Sequence, residues 1–196
     1  MLNKLRRLPI RLGRGLFVAG FHSVRTIRGR FRSRSNNSFC HQENAGGCLP
    51  NFLVIGAAKS GTTSFFTYLG QHPDIFISPV KDPNFFAFSG ESPLDYHISD
   101  IPWVLGSVRK IENYKALFSR ATFHSAIGEA SGTYLFHPRA AERIYRFIPD
   151  AKLIAILRNP VDRAYSAWLM HQRRGKEKRP FQEILAMNEQ PARYYR

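Results

Sequence analysis

The sequence predicts an α/β fold, with a central parallel sheet flanked by helices on both faces to make three layers. Three observations carry this. "FLVIG" (52–56) and "LIAIL" (153–157) are continuous apolar runs, as strands become when both faces of a parallel sheet are covered. Segments of strand and helix pattern alternate along the chain, which favours parallel strands joined by right-handed crossovers. Helix-start signals follow the strands at close range, including Asn159-Pro160 after the second apolar run.

Taken in order, "FLVIG" is a strand and residues 61–71 a helix carrying Phe65, Phe66 and Leu69. "DIFIS" (74–78) is a short strand, "NYKALF" a helical turn and "SAIGEAS" (125–131) another strand. "PRAAERIYRFI" (138–148) is a helix, "AKLIAILR" (151–158) a strand, "NPVDRAYSAWLMHQ" (159–172) a helix and "PFQEILAMN" (180–188) a last helix. The chain has 196 residues, enough for one ordinary core. It divides into an arm (1–42), a linker (43–50) and a domain (51–196).

The formal net charge is +15, and residues 1–42 hold ten Lys or Arg and no acid. The domain is therefore only mildly basic. In the arm, Phe17, Phe21, Val24, Ile27 and Phe31 recur at helical spacing among Arg14, Arg25, Arg28 and Arg32. That pattern suggests a basic amphipathic helix on an anionic membrane surface, with residues 1–34 as the peripheral contact. A solubilising disordered tail and a targeting segment are the competing readings. No apolar run approaches the ~18 residues of a membrane span. The cytoplasm, at or near a membrane surface, is the expected location. Cys40 and Cys48 lack zinc-ligand spacing. Two free thiols are expected, with a disulfide as the alternative.

The loop after the first strand reads Gly56-Ala57-Ala58-Lys59-Ser60-Gly61-Thr62-Thr63. A strand end, small residues and a helix start bring unpaired backbone amides to one point, and the helix dipole adds positive potential. Lys59 adds a charge there, and Ser60, Thr62 and Thr63 add hydroxyls. The segment reads as an anion site, against the plainer alternative of a strand-to-helix turn with an exposed lysine. Its order is not that of the ATP/GTP loop, where lysine follows the second glycine. No apolar strand ends in an aspartate suited to Mg²⁺, and "LIAILR" ends in Arg158 instead. Ser166 lies seven residues beyond Asn159, about two helical turns, so Arg158 and Ser166 can converge on a second anionic group.

Together "FLVIGAAKSGTTS…HPDI", "KDPNFF", "GEASGTYL" and "KLIAILRNPVDRAYSAW" resemble the sulfotransferase family, in the branch of heparan sulfate sulfotransferases and their bacterial relatives. The resemblance covers about residues 51–190. It implies a P-loop-like α/β fold and the donor 3′-phosphoadenosine 5′-phosphosulfate (PAPS), with no metal in the transfer. It implies that Lys59, Ser60, Gly61, Thr62 and Thr63 hold the 5′-phosphosulfate, with Lys59 also stabilising the leaving phosphate. It gives the 3′-phosphate to Arg158 and Ser166. The base that accepts the acceptor's proton is often a glutamate in "K-E-P-x-F-F". Here Asp82 stands in its place, one methylene shorter, with Asn84 where animal enzymes frequently have histidine. Glu129 is the second candidate base, and Ser131, Tyr134 and Lys81 are candidates to line the cleft. The basic run "HQRRGKEKRP" (171–180) is placed to meet an acidic glycan or the donor, or else to be a solvated helix end.

The acceptor implied is a hydroxyl or amine, in a glycan or glycolipid, and no nucleic acid is expected. Family members continue past the equivalent of residue 196 to close over the adenine, so the domain is expected to be C-terminally incomplete. Two other functions compete: a P-loop nucleotide kinase, disfavoured by the loop order, and a non-catalytic anion-, lipid- or nucleic-acid-binding basic protein.

Overall fold

The structure, a computed structural model, describes residues 16–20, 23–27, 48–98 and 100–186. Its core is the parallel sheet that the apolar runs demand. β3 (Phe52–Gly56) lies between β5 (Ala126–Ala130) and β6 (Lys152–Leu157), and β4 (Ile75–Ile77) pairs with β5. These four strands are mutually parallel. All residues of β3 and β5 are buried, which explains why β3 is apolar throughout rather than alternating. Asn51 ties the strand starts together. Its side chain bonds Ser125 O and the amide of Ile127, and its backbone meets Ile127 and Lys152.

Alternate residues of β3 feed separate cores on the two faces. Phe52 and Val54 pack with Ala126, Ala130 and Ile156 under Phe65, Phe66 and Leu69 of α1 (Thr62–Leu69). Leu53 and Ile55 face the larger, aromatic core. That core is roofed by α2 (Phe85–Phe88), α3 (Ile101–Leu105), α4 (Ile111–Ala116) and α5 (Ala140–Phe147). Phe85 stacks on Tyr114 with ring centroids 4.3 Å apart, and Phe86 meets both Tyr114 and Tyr134 edge-on. α6 (Pro160–Arg173) and α7 (Phe181–Ala186) complete the described domain, joined by a Tyr165, Trp168 and Phe181 cluster.

Two expectations are corrected. The arm's helical spacing does not become a helix where the chain is described: β1 (Leu16–Gly20) and β2 (Ser23–Ile27) are strands. β1 pairs parallel with β6, and β2 pairs antiparallel with β1, extending the sheet to the order β2-β1-β6-β3-β5-β4. The arm is rich in β-branched and aromatic residues at these positions, and pairing with the open side of β6 outweighs the helical period. Phe21 and Phe31 lie outside the described residues. Second, Cys48 is disulfide-bonded, not a free thiol. α2 and α3, of four and five residues, are too short to show a helical period.

Candidate active site

The site is assembled at the C-terminal ends of β3, β5 and β6. β3 stops at Gly56, where a Cβ would come within 2.9 Å of Leu135 Cβ. The following loop turns at Lys59 (φ +67) and Gly61 (φ +94) and enters α1. Ala57 N–H donates to Ile156 O and Ser60 N–H to Ala57 O. Among the described residues, no acceptor takes the amides of Ala58, Lys59, Gly61, Thr62 or Thr63. The Ser60 hydroxyl is buried and unpartnered among the described residues. Free amides, a helix N-terminus and an orphan hydroxyl around one lysine make a cradle suited to an anion.

Lys59 faces α6. A cavity of about 240 Å³ is lined by Lys59, Ser166, Leu169, Met170, Arg173 and Arg174. Ser166, Leu169, Met170 and Arg173 follow i, i+3, i+4, i+7 spacing, so one stripe of α6 forms the cavity wall. The Lys59 ammonium is pushed below its ordinary range, first by burial and then by the charges of Arg174, Arg173 and Arg158. Lys59, Arg173 and Arg174 thus line one cavity, and among the described residues no carboxylate offsets them at Lys59, an arrangement that an anion relieves. Asn159 caps α6 by accepting the amides of Val161 and Asp162 at 2.9 and 3.4 Å. The structure therefore brings Lys59 and Ser166 to one cavity. Arg158 has the smallest of these effects on Lys59 and is not among the residues that line the cavity. Thr62 is buried, and Thr63 is exposed with its carbonyl held by Thr67 Oγ1. Arg173 and Arg174 fall inside the basic run noted in the sequence, and only the helical spacing from Ser166 singles them out.

The second half of the site is the Asp82-Pro83-Asn84 turn. Its ends are held by the strands: Ser78 N–H donates to Gly128 O and Asp82 N–H to Ala130 O at 2.9 Å. Asp82 and Asn84 both sit at φ +55, an uncommon conformation for residues with a side chain. The Asp82 carboxylate accepts the Gly132 amide at 3.2 Å and pairs with Lys81 Nζ at 2.7 Å, and its side chain is 46% exposed. Gly132 also packs on the anion loop, since a Cβ there would touch Ala58 Cα at 3.4 Å. One residue thus links the Asp82 carboxylate to the cradle.

Glu129 does not face the cleft. It is completely buried, and its carboxyl accepts hydroxyl protons from Tyr134 at 2.6 Å, Ser131 at 2.8 Å and Tyr114 at 3.2 Å. Burial pushes it up to about 7, against the opposing effect of those hydroxyls, with the Asp82 charge adding a small rise. Tyr114 and Tyr134 are raised well above the phenol range, by burial first and the Glu129 charge second. Ser131 and Tyr134 are likewise buried, so neither lines the open cleft. Among the described residues no cluster of three or more His, Cys, Asp or Glu could hold a metal ion.

A model of the sulfotransferase family matches residues 50–196. The chain belongs to the sulfotransferase family. It is 36% identical over 121 residues to the membrane-associated sulfotransferase kil1 of Dictyostelium discoideum, covering 62% of this chain and 23% of that protein. It is 37% identical over 129 residues to the mouse bifunctional heparan sulfate N-deacetylase/N-sulfotransferase 4, covering 64% of this chain and 13% of that one. The crystal structure of a sulfotransferase from Alicyclobacillus acidocaldarius superposes with a TM-score of 0.64 at 40% identity, covering 76% of this chain and 60% of that one. The chain thus spans less than a quarter of these curated relatives' length. The α/β sheet with its loop at Lys59 is the P-loop-like core of a sulfotransferase-family fold.

Proposed function

We propose that this sulfotransferase domain moves a sulfuryl group from PAPS to a hydroxyl or amine of a carbohydrate acceptor. The observation that carries the reading is the gathering of Lys59, Arg173 and Arg174 around one cavity beside the free amides of the β3–α1 loop. Two phosphate-bearing ends of a donor need two such cationic subsites. Lys59, Ser60, Gly61, Thr62 and Thr63 are assigned to the 5′-phosphosulfate, and Arg158 and Ser166 to the 3′-phosphate. Arg173 and Arg174 add charge between them.

The chemistry is a substitution at sulfur. The acceptor's oxygen or nitrogen forms the new S–O or S–N bond, and the bond from sulfur to the 5′-phosphate oxygen breaks. Charge gathers on that leaving phosphate, where Lys59 and the loop amides stabilise it. Asp82 takes the acceptor's proton; two of its roughly four lone-pair positions are used by Gly132 and Lys81, which leaves others open. Positioning by rigid strand ends supplies the remaining rate. The relatives' names support a glycan: the mouse protein is named for N-sulfation of heparan sulfate.

The disulfide at Cys48 supports an oxidising compartment over the cytoplasm. No described helix is long and apolar enough to cross a membrane. Contact with a membrane surface is supported only by the membrane association in kil1's name, since the described arm residues are strands of the sheet rather than a surface helix. The function is tested with sulfur-radiolabelled PAPS, chelator and a panel of glycans bearing free amines or hydroxyls. Label in a glycan that is lost in Lys59→Ala supports the assignment. Transfer that persists in Lys59→Ala contradicts it.

A further inference from the structure

We propose that Glu129, although sealed from the cleft, is a positioning residue that holds the Asp82-Pro83-Asn84 turn through two oriented hydroxyls. This rests on the reading of Asp82 as the base. The turn carries two side-chain-bearing residues at φ +55, a conformation that persists only when the surroundings fix it. Its inner contacts are few: Asn84 Nδ2 donates to Asp82 O at 2.8 Å and lies 3.4 Å from Ser107 Oγ. Besides the Asp82 bonds to Ala130 and Gly132, and the Val108 N–H that donates to Pro83 O at 2.8 Å, two further anchors come from below. Asn84 N–H donates to Ser131 Oγ at 3.1 Å, and Phe86 N–H donates to Tyr134 Oη at 3.4 Å. Each hydroxyl can receive an amide only while its own proton points elsewhere. Both protons point to Glu129, at 2.8 Å from Ser131 and 2.6 Å from Tyr134.

Glu129 therefore sets the direction of both hydroxyls, and the hydroxyls hold the first amides of the "NFF" segment. Tyr114, donating from α4 at 3.2 Å, fixes the carboxyl from a third side. Asp82, the other charged group acting on Glu129, stands at the far end of the same relay. Strand parity puts Glu129 there: Ile127 and Glu129 point to the aromatic core, and Ala126 and Ala130 to α1. A carboxylate amid buried rings is costly unless its acceptors are used, and here three donors use them.

The test compares Glu129→Gln, Ser131→Ala and Asp82→Asn in the full chain, by amide hydrogen exchange, by calorimetry with 3′-phosphoadenosine 5′-phosphate, and by turnover against pH. Glu129→Gln keeps the shape but turns one acceptor into a donor. It should speed exchange at Asn84 and Phe86 by at least about tenfold, leave nucleotide affinity within about twofold, and lower kcat by roughly 10–100-fold at unchanged donor KM. Wild-type turnover should fall as pH drops through about 7, where Glu129 gains a proton, and that limb should vanish in Glu129→Gln. Ser131→Ala should free Asn84 but not Phe86, which keeps the proposal testable if Glu129→Gln fails to fold. Unchanged exchange at Asn84 in either folded variant overturns the proposal, as does Glu129→Gln turnover within about twofold of wild type with the same pH profile. Full turnover by Asp82→Asn, with exchange responding as stated, removes the base assignment instead and leaves the role of Glu129 in the turn standing.

Discussion

Lys59 sits at φ +67 beside a buried serine and shares a cavity with Arg173 and Arg174. Lys59→Ala should weaken 3′-phosphoadenosine 5′-phosphate by at least about tenfold, or 1.4 kcal/mol, in calorimetry. Asp82→Asn should leave that affinity intact and lower turnover by roughly 10²–10⁴. Asp82→Glu, which restores the family's commoner residue, should retain activity. Glu129 leaves a separate mark on stability. Its folded value of about 7 exceeds the ordinary 4.5, so between those values the folded chain holds a proton that the unfolded chain has released. That contribution is fully present at low pH and is lost as pH rises to 7 and beyond. Urea unfolding should show wild type losing about 2 kcal/mol more than Glu129→Gln between about pH 5 and pH 7. The placement of the cradle residues on a strand-to-helix loop was legible in the sequence. The burial of Glu129 was not, because its alternation with Ile127 needs the aromatic face to be known first.

Two elements position the site and can be tested one by one. β5 passes under Phe52, and a Cβ at Gly128 would lie 2.4 Å from that ring. Both sides of the contact are buried strand, so Gly128→Ala should cost about 1–3 kcal/mol in chemical denaturation. α6 presents Ser166 and Arg173 on one stripe, and its start is fixed by Asn159. Asn159→Ala should cost about 1 kcal/mol. Elements with long periods or continuous apolar runs were readable: β3, β5, β6, α1, α5 and α6 all lie where the pattern puts them. The failures have physical reasons. The arm's apolar spacing fits a helix, but β1 finds the open side of β6 and becomes a strand. The left-handed turn at Asp82 and Asn84 contains no glycine to announce it, and depends on contacts from residues about fifty positions away.

At the scale of the molecule, a parallel sheet gathers three loop ends at one edge, and each brings a different set of groups. The β3–α1 loop supplies amides and Lys59, β6–α6 supplies Arg158 and Ser166, and the turn after β4 supplies Asp82. The loop order, lysine before the second glycine, separates this site from an ATP-binding loop that shares its topology. The measurement that tests this most directly is calorimetry of the chain with 3′-phosphoadenosine 5′-phosphate in chelator, with ATP and Lys59→Ala as controls. The expected result is metal-free binding at least about tenfold tighter than ATP and reduced at least about tenfold by Lys59→Ala. Equal or tighter binding of ATP, or nucleotide binding indifferent to Lys59, would contradict the assignment of this cradle to the sulfuryl donor.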